Sequence, residues 1–311
     1  MCLITALISD KIAFGRRYDK IPLLKYFTGE DFGLTAEPVS TGKYLKGFIY
    51  KNAQTEQNGK VVVFCHGMGP GHIAYTTEIA YFCNLGYTVV AFDSRGCNFS
   101  GGKNIKGMYD GVKTANAAID LARAKFNDAP LYLIGHSWGA YSALCASKIR
   151  KVNAVVAISA PTTPSKTTQE GAVNVGIPRL LAAIWRPFWW LIYLFKYGAK
   201  GNANAAKRAQ KNDTPTLLIH GDSDKIVGYS KAVFYKADGQ HIEKFLCKGK
   251  NHNPYNTQNA EKLLAELSAN LSKASKMTDK EREYFKEFDF TAATEEDSEV
   301  MAKISEFLSK H

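Results

Sequence analysis

Short continuous apolar runs alternate with longer segments of helical spacing along most of this chain. "VVVFCHG" (Val61–Gly67) is β-branched and aromatic with no polar alternation, the pattern of a strand buried on both faces. Helical spacing follows in "IAYTTEIAYFCNLG", which closes at Gly86. The alternation continues through "YTVVAFDSRG", the helical "GVKTANAAIDLARAKF", "LYLIGHS", the helical "AYSALCASKI" and "NAVVAISAP". Buried strands separated by helices predict βαβ units, hence a mostly parallel, doubly wound α/β sheet with helices on both faces. Two extended stretches, "GLTAEPVS" and "KYLKGFIYKN", come before this series and predict a hairpin-like start.

The alternation breaks at Pro161. From there to about Asn212 the chain reads as irregular and then helical. It resumes with the strand "TPTLLIHGDSD", a helix through "YSKAVFYKA" and the strand "EKFLCKGKNH". The remainder reads as helical, with a charged, mixed-sign stretch, "SKMTDKEREYFKEFDFTAATEEDSE", before an amphipathic end, "EVMAKISEFLSKH". The simplest organisation is one α/β core domain from 1–160 and 213–311, interrupted by a helical cap over 161–212.

Composition narrows the class. With 45% hydrophobic and 22% charged residues the chain reads as a globular protein. A formal charge of +11 invites a nucleic-acid partner, but there is no zinc-finger spacing, aromatic RNA-binding block or dense basic arm, so none is expected. The basic balance suits anionic substrates or an anionic membrane face equally well. The six cysteines form no C-x-x-C pair and no metal-ligand spacing, and several sit inside apolar runs as small hydrophobes. The start, "MCLITALISDK", is a poor signal peptide, and no apolar run is long enough to span a bilayer. A cytoplasmic location is the expectation.

Candidate chemistry centres on "GHSWG". Ser137 lies between Gly135 and Gly139 at a strand-to-helix junction, where G-x-S-x-G forms a nucleophile elbow or, on a blander reading, a solvated turn. A serine hydroxyl needs a base. His252 is the best placed of the seven histidines, just beyond the last strand, whereas His241 precedes that strand and would face the wrong end of the sheet. The imidazole in turn needs an acid, and "HGDSDKIV" offers Asp222 and Asp224. An oxyanion needs backbone donors, for which the amides of Trp138 and, in the loop "HGMGPGH", of Met68 are placed. His66 in that loop has no partner at ligand spacing and reads as a loop-stabilising residue.

Five motifs, "HGMGPG", "FDSRGCNFSGG", "GHSWG", "HGDSDKIV" and "NH", occur in this order over most of 34–255. In them the chain resembles the serine α/β-hydrolase superfamily, nearest to the monoacylglycerol lipase, lysophospholipase and serine aminopeptidase-like group. The resemblance implies the α/β-hydrolase fold, Ser137 as nucleophile, Asp224 as acid, His252 as base, and Met68 and Trp138 as oxyanion amides, with no metal or organic cofactor. It implies a structural role for Asp93, ending a strand, and for Arg95, pinning its loop. Asn98 departs from the family pattern, which has glycine there, but Asn tolerates positive φ. The charged C-terminal stretch has no clear family counterpart.

The expected activity is cleavage of a carboxylic ester with a hydrophobic acyl or alcohol part, the partner being a small, amphiphilic ester. The alternatives are an amide or thioester hydrolase, including a serine aminopeptidase, and a ligand-binding protein on the same scaffold. The cap carries Trp185, Trp189 and Trp190 with basic residues. It reads either as a helix whose aromatics pack on the main domain or as an apolar lid in transient contact with a membrane surface.

Overall fold

The computed structural model describes residues 2–228 and 231–311. Strands β1 (Leu34–Thr41) and β2 (Leu45–Asn52) pair antiparallel. They are followed by β3 (Val61–Cys65), β4 (Thr88–Phe92), β5 (Leu131–His136), β6 (Ala154–Ile158), β7 (Thr216–Gly221) and β8 (Ile242–Cys247). The sheet order is β1-β2-β4-β3-β5-β6-β7-β8, and every pair from β4 to β8 is parallel. β3 therefore lies between the strand that follows it and the one after that. The chain switches winding direction at β3 and β5, the place where open α/β sheets form sites at their carboxyl ends.

Strand periodicity splits the core in two. Val61, Val63, Leu133 and Val155 face α3 (Tyr109–Phe126) and α4 (Trp138–Ser147). Val62, Phe64, Ile134 and Val156 face α2 (Thr76–Asn84) and α11 (Ser298–Ser309). Because both faces are covered by helices, the strands carry no polar alternation. The C-terminal helix α11 thus belongs to the main core.

Three helices lie between β6 and β7: α5 (Pro164–Asn174), α6 (Arg179–Tyr197) and α7 (Ala205–Gln210). The stretch after Pro161, expected to be irregular, is helical almost at once. Pro164 supplies a first helical turn that needs no N–H, and the hydroxyls of Thr167 and Thr168 bond back to the carbonyls of Thr163 and Pro164. The expected helix through "YSKAVFYKA" is replaced by a short 3-10 turn over Val233–Tyr235, with Tyr229 and Ser230 outside the described residues. Ala232 is extended, paired antiparallel with Pro161, so a helix cannot run through it.

A first helix, α1 (Cys2–Phe14), has no counterpart in the sequence reading, because its apolar residues show no clean one-sided period. It packs on α6. The Trp189 indole N–H is shared between Ser9 Oγ (2.9 Å) and the Ala6 carbonyl (3.2 Å), Phe14 meets Tyr193 edge-on, and Asp10 pairs with Lys196 at 2.5 Å. Among the described residues no helix is long and apolar enough to cross a membrane. Of the cysteines, Cys65, Cys83, Cys97, Cys145 and Cys247 are buried and unpaired.

The charged C-terminal stretch folds into helices around a small core of its own, made by Leu267, Ala274 and Phe285. A reciprocal capping box between Thr278 and Glu281 starts α9 (Asp279–Glu287), which follows α8 (Gln258–Lys273). Glu296, just before α11, lies against buried Glu78 of α2. Burial raises both carboxyls, Glu296 to about 7, and the Glu296 charge raises Glu78 further.

A carboxyl whose folded pKa exceeds its unfolded value holds a proton that the unfolded chain has already lost. Its contribution to stability is therefore present at low pH and fades as pH rises through the folded value. Glu296→Gln should gain stability relative to wild type between pH 5 and pH 8. Urea midpoints at the two pH values measure this, and an unchanged gap between the proteins would refute it.

Candidate active site

Strand β5 ends at His136, and α4 begins at Trp138, so Ser137 alone makes the turn. It does so at φ 54°, ψ −116°, a conformation that non-glycine residues rarely adopt. Such a residue persists only where its surroundings hold it, at a cost of roughly 1–3 kcal/mol. The Ser137 amide is tied to the Ile158 carbonyl of β6 at 2.8 Å. The flanking glycines are required by space. A Cβ at Gly139 would collide with the Cys65 carbonyl, and one at Gly135 with the Gly139 carbonyl.

Asp224 and His252 meet beside this turn, with His252 Nδ1 donating to Asp224 Oδ2 at 2.8 Å. That bond leaves Nε2 as the ring nitrogen free to accept a proton. Asp224 Oδ1 accepts from the amides of Ile226 (2.8 Å) and Val227 (2.9 Å), which fixes the carboxylate plane. Burial works to raise the Asp224 pKa. The hydrogen bond and charge of His252, together with the Val227 amide, outweigh it and hold the group below its ordinary value. Asp222 lies apart, capping the turn by accepting from the Gly249 amide at 2.8 Å.

The base loop is held from two sides. The His252 carbonyl accepts from His136 Nε2 (2.9 Å) and from Ser159 Oγ (2.8 Å), and Ser159 itself sits at φ 53° at the end of β6. Behind it, Lys250 reaches Asp297 at 2.7 Å, the Asp297 amide donates to the Tyr255 carbonyl at 2.6 Å, and the Glu261 carboxylate accepts from the Asn251 amide at 3.0 Å. The charged C-terminal segment, silent in the motif reading, thus braces the His252 loop.

His136 is the functional neighbour that motif reading missed. Burial, aided by nearby His252, lowers its pKa to about 3, so the ring is neutral. With Nε2–H donating to His252, Nδ1 accepts from the Tyr75 hydroxyl at 2.9 Å, and that hydroxyl accepts from the Gly67 amide at 3.0 Å. One chain of hydrogen bonds therefore joins the loop after β3, the serine turn and the base loop. Its only trace in the sequence is the H in "GHSWG".

Met68 follows Gly67 in this chain and is half exposed, and Trp138 opens α4, where a first-turn amide has no helical partner. The Trp138 side chain is buried away, its indole N–H bonded to the Met108 carbonyl at 2.7 Å. His66 donates from Nδ1 to the Gly67 carbonyl (2.6 Å) and accepts the Ser94 amide on Nε2 (2.9 Å), so both ring nitrogens serve the loop. Asp93 ends β4 and accepts from the His72 amide and ring and from the Phe99 amide. Arg95 binds the Asn104 carbonyl at 2.7 Å, and Asn98 turns at φ 31°. Among the described residues no group of acidic, histidine and cysteine side chains could hold a metal.

A family model for the α/β-hydrolase fold matches residues 60–175. No curated protein sequence matches the chain significantly. Among solved structures, the Pyrococcus furiosus esterase Pf2001 is similar in fold with a TM-score of 0.61 at 18% identity, over 92% of this chain and 97% of that one. A second crystal form of it gives 0.59 at 20% identity, over 82% and 97%. The α/β-hydrolase GrgF from Penicillium sp. sh18 has a TM-score of 0.50 at 16% identity, over 76% and 96%.

Removing the hydroxyl that joins Gly67 to His136 strands two buried polar groups, each loss being worth about 1–3 kcal/mol. Tyr75→Phe should accordingly lower the unfolding free energy by about 2–6 kcal/mol. Equal urea midpoints for the two proteins would contradict the relay.

Proposed function

We propose that this chain, which carries an α/β-hydrolase fold, is a serine hydrolase of a carboxylic ester with a hydrophobic acyl or alcohol part. One observation carries the reading: the His252–Asp224 pair, bonded at 2.8 Å, sits on a loop whose own carbonyl is bonded to the residue before Ser137. The His252 loop and the Ser137 turn are thereby tied together through the His136 ring.

Ser137 Oγ attacks the ester carbonyl while His252 Nε2 takes its proton. Asp224 keeps the other nitrogen protonated and stabilises the imidazolium. The amides of Met68 and Trp138 receive the oxyanion, in a role that typically contributes on the order of 10²–10³ in rate. His252 then protonates the leaving alcohol, and water activated by the same ring releases the acid from Ser137. The residues 161–212 act as a cap that shapes the acyl site. An open, mostly apolar groove on it, lined by Ser165, Arg186, Pro187, Trp190 and Leu191, favours a hydrophobic group. A whole-chain neighbour described as an esterase agrees with this choice.

An aminopeptidase would need a free carboxylate for the substrate amine. Glu170 is the only acidic side chain in 161–212, and Arg179 and Lys231 both pair with it. That favours an ester over a peptide.

Hydrolysis of p-nitrophenyl esters of increasing acyl length, with fluorophosphonate labelling alongside, tests the reading. Ser137→Ala should lose the label and lower kcat by roughly 10⁴ or more. Asp224→Asn should be comparably impaired, and Asp222→Asn near wild type. An unlabelled wild type with no activity on any ester would remove the hydrolase assignment.

A further inference from the structure

Helices α1 and α6 lie side by side, and each turns an apolar face away from the protein. On α1 the inward side is Ala6, Asp10 and Phe14, and the outward side is Leu3, Ile4, Leu7, Ile8 and Ile12, with Ile4 63% and Ile12 71% exposed. On α6 the inward residues are Ala182, Trp185, Trp189, Ile192 and Tyr193. Outward stand Leu180 at 76%, Ile184, Trp190, Leu191 and Phe195 at 85% exposure. A helix apolar on all sides is ordinarily covered. Two neighbouring ones with bare outer faces exceed the scattered exposure of a monomeric surface.

Charge decides what covers them. Along α6 and the turn after it, from 179 to 201, stand four basic residues, Arg179, Arg186, Lys196 and Lys200, and no acidic one. The single acid of α1, Asp10, is turned inward onto Lys196. A second copy related by a two-fold axis would bring this basic face against itself. A surface with an apolar interior and negatively charged headgroups complements it on both counts, with Trp190 suited to the boundary between the two.

We propose that α1 and α6 together form a docking surface for an anionic lipid membrane, lying on it without spanning it. The apolar outward residues enter the headgroup boundary, and Lys11, Arg16, Arg186 and Lys200 meet the negative charge. The core sheet and its loops remain in water. This reading concerns binding alone and does not need the hydrolase chemistry, although Arg186, Trp190 and Leu191 also line the groove assigned above to a hydrophobic group.

The test is flotation of the full-length protein with two vesicle preparations, one of phosphatidylcholine with phosphatidylserine and one of phosphatidylcholine only, at low and at high salt. Wild type and Ser137→Ala should both float with the anionic vesicles, less at high salt and little with the neutral ones. Ile8→Ser combined with Ile12→Ser, and separately Leu180→Ser combined with Phe195→Ser, should each weaken partition at least about tenfold. All four positions are exposed, so far-UV circular dichroism and the melting temperature should match wild type. Absence of flotation with anionic vesicles would overturn the proposal. So would a wild-type dimer in analytical ultracentrifugation that these substitutions dissociate, since the face would then belong to a second copy.

Discussion

The closeness of α4 to the end of β3 is the constraint from which the rest of the site follows. Gly139 lets the helix approach until the Cys65 carbonyl occupies the space a side chain would need, and Gly135 does the same on the strand side. With helix and strand that close, the one residue between them has to turn at positive φ, and Ser137 does. The same approach brings the loop after β3 beside the turn. An amide after β3 and an amide at the start of α4 then lie at adjacent strand ends without any side chain having to reach.

Most of the fold was legible because its strands are buried on both faces. Continuous runs such as "VVVFC" and "AVVAI" occur in few other settings, and their alternation with helices fixes a parallel sheet. The readings that failed share a physical cause. α1 is apolar outward as well as inward, so one-sided periodicity, the usual signal of a surface helix, is absent. The helix expected through 229–237 is interrupted where Ala232 is held extended by its pairing with Pro161. Local pattern carries no information about either neighbour.

Site residues were legible to the extent that they sit in short motifs. Asp222 and Asp224 are two positions apart, and spacing alone leaves them open. The bond from His252 Nδ1 distinguishes them, as does the Gly249 amide that Asp222 accepts. The Tyr75–His136 relay was hidden for a different reason. It joins positions 61 residues apart through side chains that a sequence reader assigns to core aromatics. The bracing of the base loop by Lys250 and Asp297 was hidden likewise, since charged residues in a mixed-sign stretch usually mark a solvated face.

Position on the sheet links the inserted helices to the site. Strand β6 ends at Ile158, whose carbonyl holds the Ser137 amide, and the next residue, Ser159, holds the His252 carbonyl. Two residues further on, Pro161 pairs across to Ala232 in the segment that follows Asp224, and α5 starts at Pro164. The insertion therefore leaves the core at the strand end that binds both the Ser137 turn and the His252 loop. It is thus rooted on the same two residues, Ile158 and Ser159, that tie the one to the other.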